Sequence, residues 1–466
     1  MNDDSTTLAL ADRLRRLADR LAPGDRLPSS RELVAEHQVS PVTVTRAIAR
    51  LVAEGVVVTR SGSGTFVASR ARRESAIADT AWQTVALADR SVGTDQITAA
   101  LGPAPEGTIL LDGGYLHRSL QPTGLLGSAL ARAARRIDAW DRAPVAGLEA
   151  LRAVFARSVG GGVTAQDVLI TSGGQGALST AFRALAAPGS PILMESPTYP
   201  VAIEAARAAG LRPVPVPLDD GGIRPDLLAD AFAMTGARLL YCQPTFHNPT
   251  GTVLAAERRR QVVDIARAAG AFLVEDDFAR HLGHLGHGGP VPPPLVWDDR
   301  DGTVVYVTSL TKPAAPSLRI GALVARGPVL ERLRALRRVD DFFVARPMQE
   351  AALEILGSPS WDRHLRTLST VLRERCASAA AAVEIARPDW TLTRIPAGGL
   401  HLWIRLALGE DDLAVVRGAR SRGVAVSPGR GNFAAEAPAA YIRVGFAAAA
   451  DHAELSEGIR RLTASA

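Results

Sequence analysis

Leu8, Leu14, Leu17 and Leu21 recur at helical spacing among arginine and aspartate, and this stripe predicts an amphipathic helix over about residues 5 to 21, ended by Pro23-Gly24. A second helix is expected after Pro28-Ser29-Ser30, where a serine caps a first turn holding Arg31 and Glu32, with His37-Gln38-Val39 as the turn beyond it. Ser40-Pro41 starts a third, with a serine cap and a proline at the first helical position, where its missing N–H is not needed. That helix runs to Glu54 and Gly55 closes it; Val44, Ile48 and Leu51 make its buried stripe and leave Thr43, Arg46 and Arg50 on other faces. Val56-Val57-Val58 reads as a short strand that reaches Arg60-Ser61-Gly62-Ser63-Gly64 and returns through Thr65-Phe66-Val67. Three helices and a glycine-tipped hairpin predict a winged helix-turn-helix over residues 1–69. Its third helix would enter the major groove of double-stranded DNA, with Arg60 and the amides of Gly62 and Gly64 near the backbone or minor groove. A small helical protein-interaction domain is the alternative.

Residues 70–105 mix polar and small residues and are read as a linker with one short helix. From residue 106 to 466 short apolar runs alternate with alanine-rich helical stretches. The runs are Asp167 to Thr171, Pro191 to Met194, Arg238 to Cys242, Ala271 to Glu275, Thr303 to Thr308 and Gly321 to Val324. Such alternation predicts an α/β fold with a mostly parallel sheet and helices on both faces, whose sites gather at the carboxyl ends of the strands.

Composition sharpens the picture at one residue. Of 53 basic residues among 466, 52 are arginine and one is lysine, Lys312, although lysine is normally common. A guanidinium holds anions but cannot act as an amine nucleophile, so a lone lysine points to chemistry that needs an amine, most often an imine with pyridoxal phosphate. A surviving surface lysine is the plainer reading. The net charge of +5 permits nucleic-acid binding without requiring it. Two distant cysteines, Cys242 and Cys376, make no disulfide framework. No apolar run spans a membrane and the start lacks a signal-peptide plan, so a cytoplasmic location is expected.

Polar motifs follow the predicted strands. Thr171-Ser172-Gly173-Gly174-Gln175-Gly176 leaves a strand and opens a helix, where glycines admit a phosphate to free N–H groups; a tight turn reads the same way. Ser309 and Arg319 flank Lys312 and could serve the same phosphate. Asp276 ends another strand, where it could pair with a protonated pyridine nitrogen or lie in a solvated acidic loop. Asn248 could bond the ring's phenolic oxygen, and Tyr199 offers a face for stacking. His281, His284 and His287 recur every three residues in a glycine-rich stretch, and no metal site is expected there.

The first segment resembles the GntR family of bacterial regulators through Leu27-Pro28-Ser29-Ser30-Arg31-Glu32-Leu33, Val39-Ser40, Thr43-Val44, Leu51, Glu54-Gly55 and Ser61-Gly62-Ser63-Gly64-Thr65-Phe66-Val67. That resemblance implies DNA contacts at Arg31, Thr43, Arg46, Gly62 and Gly64. Pro41 departs from the arginine of many members, which leaves the operator open. Residues 106–466 resemble fold-type I pyridoxal-phosphate aminotransferases, including Asn248-Pro249-Thr250-Gly251, Ser309-Leu310-Thr311-Lys312 and Tyr441-Ile442-Arg443-Val444-Gly445-Phe446. The implied cofactor residues are Gly174, Gln175, Tyr199, Asn248, Asp276, Ser309, Lys312, Arg319 and Arg142, with Lys312 catalytic and Arg443 gripping a substrate α-carboxylate. A smaller C-terminal α+β part is expected from about residue 340 to 466. Two departures bear on catalysis: Phe278 replaces a usual tyrosine, and Arg142 stands where a neighbouring subunit's tyrosine reaches the phosphate.

The whole chain resembles the MocR subfamily of GntR regulators. This implies a transcription factor that senses pyridoxal phosphate, or an amino compound, through an aldimine at Lys312, often as a head-to-tail homodimer. The alternative is an active aminotransferase with an accessory DNA-binding domain. Phe278 and Arg142 favour sensing, with at most a half-reaction or weak transamination. Effector, operator, regulated gene and direction of control stay open at this stage.

Overall fold

Two serines set the starts of the N-terminal helices. In the computed structural model, which describes residues 3–60, 63–68, 81–86, 105–284, 286 and 289–464, Ser29 Oγ accepts from the Glu32 amide at 3.3 Å while the Glu32 carboxylate accepts from the Ser29 amide at 2.7 Å. Helix α2 (Ser30–His37) follows, closed by Gln38 in the left-handed region at φ 51°. Ser40 caps α3 (Pro41–Ala53), and α1 (Asp3–Ala18) packs across it. Leu14, Leu33, Val44, Leu51 and Val57 are fully enclosed in their common core. Each large buried side chain is worth roughly 1.5–3 kcal/mol, against about 1 kcal/mol for a cap. The core therefore holds the helices together, and the caps decide where they begin.

Strands β1 (Val57–Arg60) and β2 (Gly64–Val67) form the wing, with Arg60 opposite Gly64. Gly62 lies outside the described residues. Arg31 and Arg46 are exposed. Thr43 corrects the outward placement expected for it: it is 3% exposed, and its Oγ1 lies 2.8 Å from Ser40 Oγ. The third position of the helix turns it into the cap, so it is not carried forward as a DNA contact.

The chain divides into two compact units, residues 1–88 and 89–466. Helix α4 (Ala81–Ala86) falls in the segment read as a linker, most of which lies outside the described residues. In the second unit the strands are β3 (Val168–Thr171), β4 (Pro191–Ser196), β5 (Arg212–Asp219), β6 (Leu239–Cys242), β7 (Phe272–Asp276), β8 (Val304–Ser309) and β9 (Gly321–Val324). They lie in the order β3-β9-β8-β7-β6-β4-β5, and a two-residue piece, Gly222–Ile223, continues past β5. All neighbours among β8, β7, β6, β4 and β5 are parallel; β9 runs antiparallel to β8 and β3. Alternate residues enter opposite cores: Val168 and Ile170 on one side, Leu169 on the other.

Strand β5 was hidden by Pro213, Pro215 and Pro217, which normally argue against a strand. The Arg212 amide donates to Ser190 O at 2.9 Å, so the even-numbered amides face β4 and the prolines face the outer side, where no ladder bond is lost. A smaller antiparallel sheet follows, of β10 (Thr391–Leu392), β11 (His401–Arg405), β12 (Ser427–Pro428) and β13 (Tyr441–Gly445), in the order β10-β11-β13-β12. Its core also takes in Ile109, Leu111 and Leu116, because Ile109–Leu110 pairs with Val424–Ala425. The segment near residue 112 is thereby brought to the carboxyl edge of the large sheet.

Candidate functional site

Parallel strands end on one side, so the residues that follow β3, β6, β7 and β8 converge. Helix α5 (Gly173–Leu185) begins directly after β3, and Gly173 adopts φ +79°. A Cβ there would stand 3.0 Å from the Arg319 guanidinium, and one on Gly174 would stand 3.6 Å from Ser309 Cβ. Arg319 donates to Ser172 O at 2.7 Å and to Thr311 Oγ1 at 3.4 Å, and Ser309 Oγ donates to Thr311 Oγ1 at 2.8 Å. First-turn amides, two hydroxyls and a guanidinium thus line a cup whose bareness at Gly173 and Gly174 suits a phosphate.

Lys312 stands beside this cup. Its Nζ donates to Gly114 O at 2.7 Å and sits 3.8 Å from the centre of the Tyr115 ring. Loss of water around the amine, helped by the Arg443 charge and opposed by Asp276, brings its pKa down to about 7. A neutral amine is the nucleophilic form, so the enclosure prepares Lys312 for attack on a carbonyl near neutral pH.

Asp276 ends β7 and is buried, with Oδ2 accepting from the Tyr241 hydroxyl at 2.8 Å and from Gln243 Nε2 at 3.0 Å. Burial nonetheless pushes its pKa up to about 6. Asp277 turns the other way, to Arg280 and to the Tyr306 hydroxyl. The two adjacent acids therefore have separate duties, and only Asp276 shares the field of Lys312.

Arg443 extends from β13 and is 9% exposed. Its Nη1 donates to Asn248 Oδ1 at 3.1 Å, and its Nη2 to Asp112 O at 3.0 Å and Ser427 Oγ at 3.3 Å. Tyr199 donates to Gln175 Oε1 at 3.4 Å, so Gln175 meets the tyrosine. Lys312, Asp276, Asn248, Tyr199, Gly174, Ser309, Arg319 and Arg443 are thus drawn into one constellation. Arg142 is exposed and stands outside it, and Phe278 packs into the core of the smaller sheet. His284 is held by Pro396 O at 3.0 Å and Gly399 O at 3.2 Å, and His287 lies outside the described residues.

Residues 143–462 match the model of aminotransferase class I and II, and residues 6–67 match that of the bacterial regulatory proteins of the gntR family. The chain belongs to the class I and II aminotransferases. With a GntR-type helix-turn-helix in front, it is a DNA-binding regulator of MocR architecture. It is similar to YdfD of Bacillus subtilis, an HTH-type transcriptional regulator, at 26% identity over 94% of this chain and 91% of that one. The 2-aminoadipate transaminase of Thermus thermophilus is 30% identical over 76% of this chain and 89% of its own. The crystal structure of LysN, the alpha-aminoadipate aminotransferase of Thermus thermophilus complexed with N-(5'-phosphopyridoxyl)-L-leucine, superposes with a TM-score of 0.75 at 29% identity, covering 82% of this chain and 97% of that one.

Several residues of the MocR-type site escaped the sequence reading. Tyr241 lies within the apolar run Leu239–Cys242 and looks like core, yet its hydroxyl reaches Asp276. Gln243, directly after that strand, carried a usable signal, because polar residues at strand ends were already suspect. The glycine pair Gly113-Gly114 before Tyr115 was a second signal, being a place where backbone comes close to another group.

Proposed function

We propose that this MocR-type regulator holds pyridoxal phosphate on Lys312 and changes its DNA binding when the cofactor, or an amino compound that reacts with it, occupies the site. The observation that carries the reading is the single lysine of the chain, set between a bare glycine cup with Arg319 and the buried carboxylate of Asp276. These groups fit the cofactor at three points. Gly173, Gly174, Ser309 and Arg319 would hold its phosphate, Asp276 its ring nitrogen, and Asn248 its phenolic oxygen. When bound, pyridoxal phosphate supplies an aldehyde for an amine and a ring that accepts electrons. Lys312 gives the amine and moves a proton, Tyr199 covers the ring, and Arg443 orients a carboxylate. The similarity to LysN, whose structure holds a phosphopyridoxyl amino acid, supports the same assignment.

In the first unit Arg31, Arg46 and the wing at Gly64 would meet an operator, with Gly62 alongside. The exposed apolar residues Ile137, Trp140, Val339 and Phe342 support a homodimer, in which Arg142 would approach the partner's phosphate site. No helix among the described residues is long and apolar enough to cross a membrane. A second reading, an aminotransferase with an accessory DNA-binding domain, is favoured by the similarity to 2-aminoadipate transaminase.

The test is Lys312→Arg, which keeps the charge and removes the amine. The parent chain with cofactor should show the absorbance of the lysine-bound form and yield a borohydride-fixed label on Lys312; the variant should show neither. A colourless parent would sink the assignment. Rapid multiple turnover to a 2-oxo acid with no change in DNA mobility would favour the enzyme.

A further inference from the structure

His401 opens β11 and is 6% exposed, yet its Nε2 has no hydrogen-bond partner. The contrast with His284 is direct, because that buried ring has backbone carbonyls at 3.0 and 3.2 Å to which it can donate. An unpaired polar atom away from water is costly, on the order of 1–3 kcal/mol, unless something else completes it. The position says what that would be. Along β11 and β13, His401 is opposite Gly445 and Trp403 is opposite Arg443, so His401 and Arg443 share one face of the sheet as diagonal neighbours. A Cβ on Gly114 would lie 3.4 Å from His401 Nε2 and 3.5 Å from Lys312 Nζ, so the imidazole and the amine border the same bare glycine.

Arg443 carries the matching gap. Its two Nη atoms are engaged with Asn248, Asp112 and Ser427, while its Nε is buried without a partner. Diagonal cross-strand positions stand roughly 7–8 Å apart. Both side chains rise from that one face, and a carboxylate, with two acceptor oxygens, is a small group that can accept from both donors. Burial beside Arg443 and Lys312 keeps the imidazole uncharged, which leaves it one N–H to give and adds no third cation.

We propose that His401 Nε2–H and Arg443 Nε–H jointly hold the carboxylate of the ligand, which makes His401 a selectivity residue for carboxylate-bearing amino compounds. The assignment rests on the ligand-site reading above and adds a second donor to Arg443. A ligand without a carboxylate leaves both nitrogens unpaired, so simple amines are disfavoured.

The experiment titrates propionate, a carboxylate with no amine, into the full chain isotope-labelled at histidine, with and without pyridoxal phosphate. Propionate needs no bond to Lys312; cofactor absorbance on the same samples tests that bond separately, so the two readings fail independently. The His401 ring resonance, identified by its absence in His401→Phe, should move as propionate saturates. His401→Phe should weaken propionate about tenfold or more, the loss typical of one hydrogen bond to a charged oxygen. His401→Gln, whose amide can donate, should recover most of that loss. A His401 resonance unmoved at saturation, a well-folded His401→Phe that binds propionate like the parent, or a parent that binds none would each overturn the proposal.

Discussion

Asp276→Asn tests the electrostatics of the site through stability alone. Tyr241 and Gln243 both donate to Oδ2, so an amide oxygen in that place keeps both hydrogen bonds and only the charge is lost. In the folded chain the carboxyl is pushed from 3.8 up to about 6, chiefly by burial. Below about pH 4 it is neutral folded and unfolded and contributes nothing. Between about pH 4 and 6 the folded chain keeps the proton that the unfolded chain has released, so stability falls as pH rises; above about 6 the full cost applies. The gap corresponds to about 3 kcal/mol. Lys312 adds no slope in that window, because it is protonated below about 7 folded and below 10.5 unfolded.

The assay is urea unfolding of the cofactor-free chain followed by tryptophan fluorescence, to which Trp361, Trp390 and Trp403 of the second unit contribute buried probes. The variant should exceed the parent by about 2–3 kcal/mol near pH 8, and the difference should vanish near pH 4. It should also retain pyridoxal phosphate less well, since the charge that costs stability is the one that would pair with the ring nitrogen. Equal stability near pH 8, or a gain independent of pH, would falsify the reasoning.

Three further outcomes are expected. Gly173→Ala puts a Cβ against the Arg319 guanidinium at a positive φ, so it should cost roughly 1 kcal/mol of stability and weaken phosphate-dependent cofactor retention in equilibrium dialysis. Arg46→Ala should reduce operator affinity and flatten its salt dependence in mobility shifts, leaving cofactor absorbance unchanged. Ser40→Ala removes the cap that accepts from the Thr43 amide at 3.1 Å and should lower the stability of the first unit by about 1 kcal/mol in thermal unfolding.

The parts of the fold that declare themselves locally were legible. Ser29, Ser40 and Pro41 mark helix starts because a cap is a contact within one turn, and six apolar runs fell on strands because strands covered on both faces are continuously hydrophobic. What escaped was decided over distance or by direction. The prolines of β5 are harmless only because their nitrogens face outward, which depends on which neighbour the strand acquires. Thr43 turns inward because its hydroxyl joins the Ser40 cap, a choice that helical periodicity does not weigh. Lys312 announced itself by rarity, whereas Tyr241 and His401 sit inside apolar runs and gain their roles from strands far away in sequence.

The alternating prolines of β5 also govern what the molecule can add to itself. Along most of that margin no amide is available to greet an incoming strand, so another chain cannot dock by lengthening the ladder there. Any association of copies at this border would have to run through side chains, and crowding at high expression should not nucleate fibres from it.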